Sequence, residues 1–361
     1  MTSQPIHGGN LAWAAALAGC SPRELLDFSA SINPLGVPPK VIAAIQAHLV
    51  DLPHYPDPGS HWLRQAIGRF HGVPPDWILP GNGSAELLTW ACRELAALEA
   101  VYLITPAFSD YLRALKAFGA EVKRCPLQIE LALRHSAEMN NLPLPMPLHA
   151  CGLLLNNPHN PTGVLFRAEA IAPLLDQVEL LVVDEAFMDF LMPDQQQSLI
   201  DRLADYPNLV ILRSLTKFYS LAGLRIGYAI AHPERLQRWQ QWRDPWSVNV
   251  LAEAAAIACL QEQSFQQQTW NWLAAARSHL FEGLAALPGL QPLPSAANYL
   301  LVRCDISSVV LQRELLQQSR ILIRDCVSFP ELGDRFFRVA VRTIEENQQL
   351  LAGLQQILGR R

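Results

Sequence analysis

The run Ser214-Leu215-Thr216-Lys217-Phe218-Tyr219-Ser220-Leu221-Ala222-Gly223-Leu224-Arg225-Ile226-Gly227-Tyr228 sets one lysine and one arginine in a small-residue turn between two apolar stretches. Apolar flanks and a neighbouring cation lower an amine's pKa, which makes it a nucleophile able to form a Schiff base. Lys40, Lys116 and Lys123 are the other lysines, and each falls where an exposed helix start or helix end is expected. The competing reading of Lys217 is a partly buried lysine that closes a strand. Leu180-Leu181-Val182-Val183-Asp184-Glu185 reads as a buried strand that delivers two carboxylates at its carboxyl end, where open α/β sheets bind ligands. Gly152 to Gly163 is a second buried strand that runs into an Asn- and Pro-rich turn carrying Asn160. Trp77 to Glu86 runs from strand to helix through Gly81-Asn82-Gly83-Ser84, whose free backbone N–H groups and Ser84 hydroxyl suit a phosphate.

Positioning these groups requires a large sheet. From about Pro38 to Trp239, helical periodicity alternates with short β-branched or leucine-rich runs, the pattern of a mostly parallel sheet covered on both faces. The fold class expected is therefore α/β, with a large domain over 36–245. Residues 1–35 form an amino-terminal arm, and 246–361 supply linking helices and a small α+β domain. Leu251 to Leu287 reads as long helices, and Tyr299 to Arg303, Ile321 to Arg324 and Phe336 to Val341 as strands. Thr343-Ile344-Glu345-Glu346 opens the last helix as a capping box. Asn140 to Pro147, proline-rich and uncharged, reads as a surface loop.

Half of the 361 residues are hydrophobic, 17% are charged and the net charge is -5, so neither nucleic acid nor a membrane surface is an expected partner. Seven scattered cysteines without Cys-x-x-Cys spacing read as reduced thiols of a cytoplasmic protein, and no metal site is expected. Leu17-Ala18-Gly19-Cys20 imitates a lipoprotein cleavage box, but no Lys or Arg precedes the short apolar run, and Ser21-Pro22-Arg23-Glu24 also reads as a helix start.

In this order, the segments resemble the pyridoxal-phosphate enzymes of the aspartate aminotransferase superfamily, fold type I. Within it, His7-Gly8-Gly9-Asn10, Phe28 to Gly36, Tyr55-Pro56-Asp57, Thr105-Pro106-Ala107-Phe108, Pro245 to Asn249, Ala297 to Leu300, Ile321 to Arg324 and Phe337 to Arg342 resemble the threonine-phosphate decarboxylase family. Histidinol-phosphate aminotransferases are the next pattern. The resemblance implies pyridoxal 5'-phosphate as cofactor, with Lys217 as its imine partner, Asp184 facing the pyridine nitrogen and Asn160 the phenolic oxygen. Gly83, Ser84, Ser214 and Arg225 would hold the cofactor phosphate, Phe108 would stack on the ring, and Tyr55 would reach the phosphate across a homodimer. A phosphorylated amino acid needs two further cationic contacts. Arg338 is assigned the carboxylate, Arg324 with His7, Gly8 and Asn33 the substrate phosphate, and Ser31 a further substrate contact. Ser31 stands where this family usually carries asparagine, and Phe187 where related aminotransferases carry tyrosine. The implied reaction is decarboxylation of L-threonine O-3-phosphate for cobalamin biosynthesis. Two other readings stay open: amino-acid transamination, and a catalytically idle regulator on the same fold.

Overall fold

The computed structural model describes residues 7–132, 138–145 and 148–360, so the end of the proline-rich loop read over 140–147 lies outside the described residues. The central sheet has seven strands: β1 Ile78–Asn82, β2 Val101–Thr105, β3 Val122–Pro126, β4 Gly152–Asn156, β5 Leu180–Asp184, β6 Leu209–Ser214 and β7 Ile226–Ala231. Their spatial order is β1-β7-β6-β5-β4-β2-β3. β7 is antiparallel to both neighbours, and every other pairing is parallel. All strands except β7 therefore end at one edge, and β7 begins there.

Side chains of a strand alternate between faces, and both faces of this sheet are buried. Leu181 and Val183 of β5 enter one apolar core, while Val182 and Leu180 enter the other. Helices Ser84–Leu95 and Ser109–Ala117, built from the intervening periodic segments, both pack on the face that Leu180 and Val182 enter.

The expected helices follow as Val250–Leu260 and Gln263–Ala285. A second, antiparallel sheet comprises β8 Leu290–Pro292, β9 Tyr299–Cys304, β10 Arg324–Asp325 and β11 Phe336–Ala340, ordered β8-β9-β11-β10. The helix Ile344–Leu358 packs beside it and opens with the capping box: Glu346 N–H donates to Thr343 Oγ1 (3.2 Å), and Thr343 N–H to Glu346 Oε2 (3.2 Å). Ser21 and Glu24 also make a capping box, although it opens only the three-residue 3-10 turn Pro22–Glu24. The amino-terminal segment joins this region through parallel pairing of Leu26–Asp27 with Ile321–Leu322, and Ala340 N–H donates to Phe28 O (2.8 Å). Among the described residues no helix is long and apolar enough to cross a membrane.

Candidate active site

A cavity of about 280 Å³ opens at the common strand edge, between the two sheets and the amino-terminal segment. β5 ends in it with Asp184, β6 with Ser214, and the one-turn helix Leu215–Phe218 carries Lys217 over it. Lys217 Nζ donates to Ser214 Oγ (3.2 Å), and Ser214 Oγ also shares a hydrogen bond with Thr216 Oγ1 (2.7 Å). The amine stands 5.4 Å from the centre of the Phe187 ring. Burial lowers its pKa against the opposing pull of Asp184, and Arg225 and Arg338 add to the lowering. By exposure Lys217 is only half-buried, because it borders the open cavity.

Asp184 is held from two sides: Tyr111 Oη donates to its Oδ2 (2.7 Å) and the Ala186 N–H to its Oδ1 (3.0 Å). Burial raises its pKa, while Lys217 and the Tyr111 hydrogen bond oppose the rise. Behind it, Asn156 Nδ2 donates to the Asp184 carbonyl (2.7 Å) and Asn156 Oδ1 accepts from Asn160 N–H (2.7 Å), tying the β4 turn to the end of β5. Asn160 Oδ1 accepts from Arg338 Nη1 (2.5 Å), which leaves Asn160 Nδ2 as that side chain's donor.

Ser84 and Ala85 line the cavity at the start of the helix Ser84–Leu95, where first-turn N–H groups have no partner within the helix. Arg225, in a left-handed conformation with φ 57°, borders the same corner. A Cβ at Gly83, φ +75°, would stand 2.6 Å from Arg225 Nη2, so only glycine leaves this arginine its place. Phe108 lies across the cavity, 5.6 Å from Tyr111 edge-on and 5.6 Å from the His7 ring. An amine able to form an imine, a buried carboxylate, an aromatic wall and an N–H, hydroxyl and guanidinium cradle fit pyridoxal 5'-phosphate.

On the opposite wall, Arg324 and Arg338 are direct cross-strand partners on β10 and β11. Arg338 Nη2 donates to Ser29 O (3.2 Å), its guanidinium lies 4.9 Å from the centre of the Tyr299 ring, and its Nε is buried without a partner. Burial lowers the pKa of Arg338, and Arg324 lowers it further. Arg324 Nη2 donates to Ser328 Oγ (2.6 Å). His7, Gly8 and Ser31 line this side, and the buried Ser31 hydroxyl has no partner. His7 is pushed below the usual histidine range by burial and by Arg324.

Three expectations, on Asn33, Gly83 and Glu185, are corrected. Asn33 does not face the cavity: Nδ2 donates to Phe218 O (2.8 Å) and Thr269 Oγ1 (2.9 Å), and Oδ1 accepts from Leu35 N–H (3.0 Å), so its capacity is spent on pinning the arm to the Lys217 segment. Gly83 N–H is already donated to Gly81 O (2.7 Å), and Ser84 and Ala85, not Gly83, line the cavity at this turn. Glu185 is not a second site carboxylate. It lies on the other face of the sheet, fully buried, 2.8 Å from Arg213 Nε. Tyr55 is 79% exposed, stacked on Trp246 at 4.5 Å, and does not line the cavity of its own chain. Sequence reasoning missed Tyr111, Asn156 and Thr216. Tyr111 follows Phe108 by one helical turn, and the other two stand inside motifs already singled out.

Residues 23–354 match the model of the aminotransferase class I and II family. A threonine-phosphate decarboxylase of Salmonella typhimurium is 40% identical over 98% of this chain and 96% of its own. The adenosylcobalamin biosynthesis bifunctional protein CobDQ of Leptospira interrogans is 30% identical over 98% of this chain and 41% of its own length. Among solved structures, a histidinol-phosphate aminotransferase of Sinorhizobium meliloti in complex with pyridoxal-5'-phosphate superposes with a TM-score of 0.84 at 25% identity, covering 99% of this chain and 96% of that one. The chain belongs to the aminotransferase class I and II family and has its fold type I architecture.

Proposed function

We propose that this protein is a pyridoxal-phosphate-dependent carboxy-lyase that converts L-threonine O-3-phosphate into (R)-1-amino-2-propanol O-2-phosphate and CO2, in cobalamin biosynthesis. The observation that carries the reading is the direct pairing of Arg324 with Arg338 at the cavity wall. Two guanidinium groups side by side at a cavity wall suit a substrate that carries both a carboxylate and a phosphate. The Salmonella and Leptospira relatives support the reaction and its pathway.

Bound here, pyridoxal phosphate supplies an electron sink for the pair released from whichever Cα bond stands perpendicular to its ring. The protein decides which bond that is. Ser84, Ala85 N–H, Ser214 and Arg225 fix the cofactor phosphate, Asn160 Nδ2 the phenolic oxygen, and Asp184 the pyridine nitrogen. Arg338, braced by Asn160 Oδ1 and Ser29 O, orients the substrate carboxylate. Arg324, His7, Gly8 and Ser31 hold the phosphate end. When the bond from Cα to the carboxylate breaks, CO2 leaves, and Lys217 Nζ returns one proton to Cα. Its burial favours the neutral amine that first attacks, and neighbouring Asp184 favours the ammonium that later donates.

The same reading makes the active unit a cytoplasmic homodimer in which Tyr55 enters the cavity of a second copy. The exposed apolar side chains in the same stretch of sequence, with Val50 76% and Trp62 73% exposed, support the dimer, and seven free cysteines support a reducing compartment. The test supplies purified holoenzyme with threonine phosphate, and separately with histidinol phosphate and 2-oxoglutarate. CO2 with aminopropanol phosphate is expected from the first. Glutamate from the second with no CO2 from the first overturns the decarboxylase reading in favour of transamination.

A further inference from the structure

One wall of the cavity is the segment His7-Gly8, which meets Phe108 and Ser109 on one side and Ser29 on the other. Gly9 N–H donates to Ser29 Oγ (2.7 Å). That hydroxyl donates in turn to Asp27 Oδ1 (2.6 Å), which also accepts from Ser29 N–H (2.7 Å). Asp27 is anchored from behind, because Arg342 Nη1 donates to its carbonyl (3.1 Å) while Arg342 grips Glu346 through Nη2 and Nε (2.8 and 3.1 Å). Gly8 lies so close that a Cβ there would meet Ser29 O at 2.3 Å. Ser29 is 2% exposed, and its carbonyl is the one that braces Arg338. One residue thus touches both ends of the substrate site: its side chain holds the His7-Gly8 segment through Gly9, and its backbone holds the carboxylate arginine.

We infer that Ser29, seated on Asp27, is a specificity-determining positioning residue that latches the His7-Gly8 wall against the phosphate end of the cavity. The inference rests on the proposed assignment of that end to phosphate. Its geometry separates the two functions of the residue. Ser29→Ala deletes the hydroxyl that receives Gly9 N–H but keeps the carbonyl that receives Arg338, so the lesion falls on the phosphate wall and spares the carboxylate brace. Gly8→Ala disturbs the same wall from the opposite side, since its methyl group cannot occupy the space beside Ser29 O.

The experiment measures binding of inorganic phosphate to the holoenzyme by calorimetry, with Arg324→Ala as the control that removes the cation. It is paired with steady-state kinetics on L-threonine O-3-phosphate and on L-threonine. Loss of one or two neutral hydrogen bonds corresponds to roughly tenfold in affinity. Ser29→Ala and Gly8→Ala are therefore expected to weaken phosphate binding by about tenfold, and to raise KM for the phosphorylated substrate by a similar factor with a smaller change in kcat. The preference over L-threonine should shrink in proportion. Phosphate affinity unchanged in both variants, or an equal loss on both amino acids, overturns the latch. Weakened phosphate binding in an enzyme that releases no CO2 keeps the latch and removes the decarboxylase reading.

Discussion

Replacing Tyr111 with phenylalanine tests how the buried carboxylate is tuned. Tyr111 Oη donates to Asp184 Oδ2 at 2.7 Å and is 2% exposed, so no water route to that oxygen replaces it through the helix. Burial already lifts Asp184 above the ordinary aspartate range, and the tyrosine hydrogen bond is one of the groups that hold it down. A hydrogen bond to a charged group contributes about 1.5–3 kcal/mol, so Tyr111→Phe should weaken the hold on the ionised carboxylate by about that much and raise the Asp184 pKa. The sign follows directly: the ionised form loses a donor, the protonated form loses little, and protonation sets in at higher pH. The pH profile of kcat for CO2 release should move its acid limb to higher pH, with the alkaline limb in place. The absorbance of the bound cofactor, titrated over the same range without substrate, should move with it. An acid limb that coincides with the unmodified enzyme's, in a protein that still binds cofactor, would refute the tuning role of Tyr111.

Other outcomes follow from the same geometry. Arg338→Ala should reduce kcat and kcat/KM together, because carboxylate orientation is lost, whereas Arg324→Ala should chiefly erase the preference for phosphorylated over free threonine, read from steady-state kinetics on both. Mixing Tyr55→Phe and Lys217→Ala subunits should regenerate activity in heterodimers if Tyr55 acts in trans, and proven subunit exchange without recovery would count against it. Arg213→Met should cost about 3–5 kcal/mol in urea unfolding, since it strands the buried Glu185 and Asp189 carboxylates without their cation. His71 and His159 are buried and held down to about 3 and about 4. The unfolded chain binds their protons first, so stability should fall as pH drops from about 6.5 toward those values, seen as a declining Tm of the apoprotein.

Much of this site was legible in the sequence because its groups sit at strand ends. A buried apolar run that stops at Asp184, another that stops at Ser214 and a glycine turn before Ser84 specify one edge of one sheet without any knowledge of strand order. What escaped was information carried by register and by distant contacts. The pairing of Arg324 with Arg338 depends on how β10 aligns with β11, and nothing local encodes that alignment. Asn33 reads as a site residue from its motif, yet its partners Phe218 and Thr269 lie 185 and 236 positions away and consume its donors. Tyr111 looks like an ordinary core position on an amphipathic helix, since only the fold brings its hydroxyl to Asp184. Glu185 is the instructive miss: adjacent residues of a strand face opposite ways, so Asp184 in the cavity already required Glu185 to point into the other layer.

The most direct test of the central claim follows the reaction of L-threonine O-3-phosphate, labelled with 13C in its carboxyl group, in D2O by mass spectrometry. Decarboxylation with proton return from Lys217 predicts one 13CO2 per turnover and an aminopropanol phosphate carrying a single deuterium at the carbon that bore the carboxylate. A keto acid that retains the label, with no 13CO2, would contradict it.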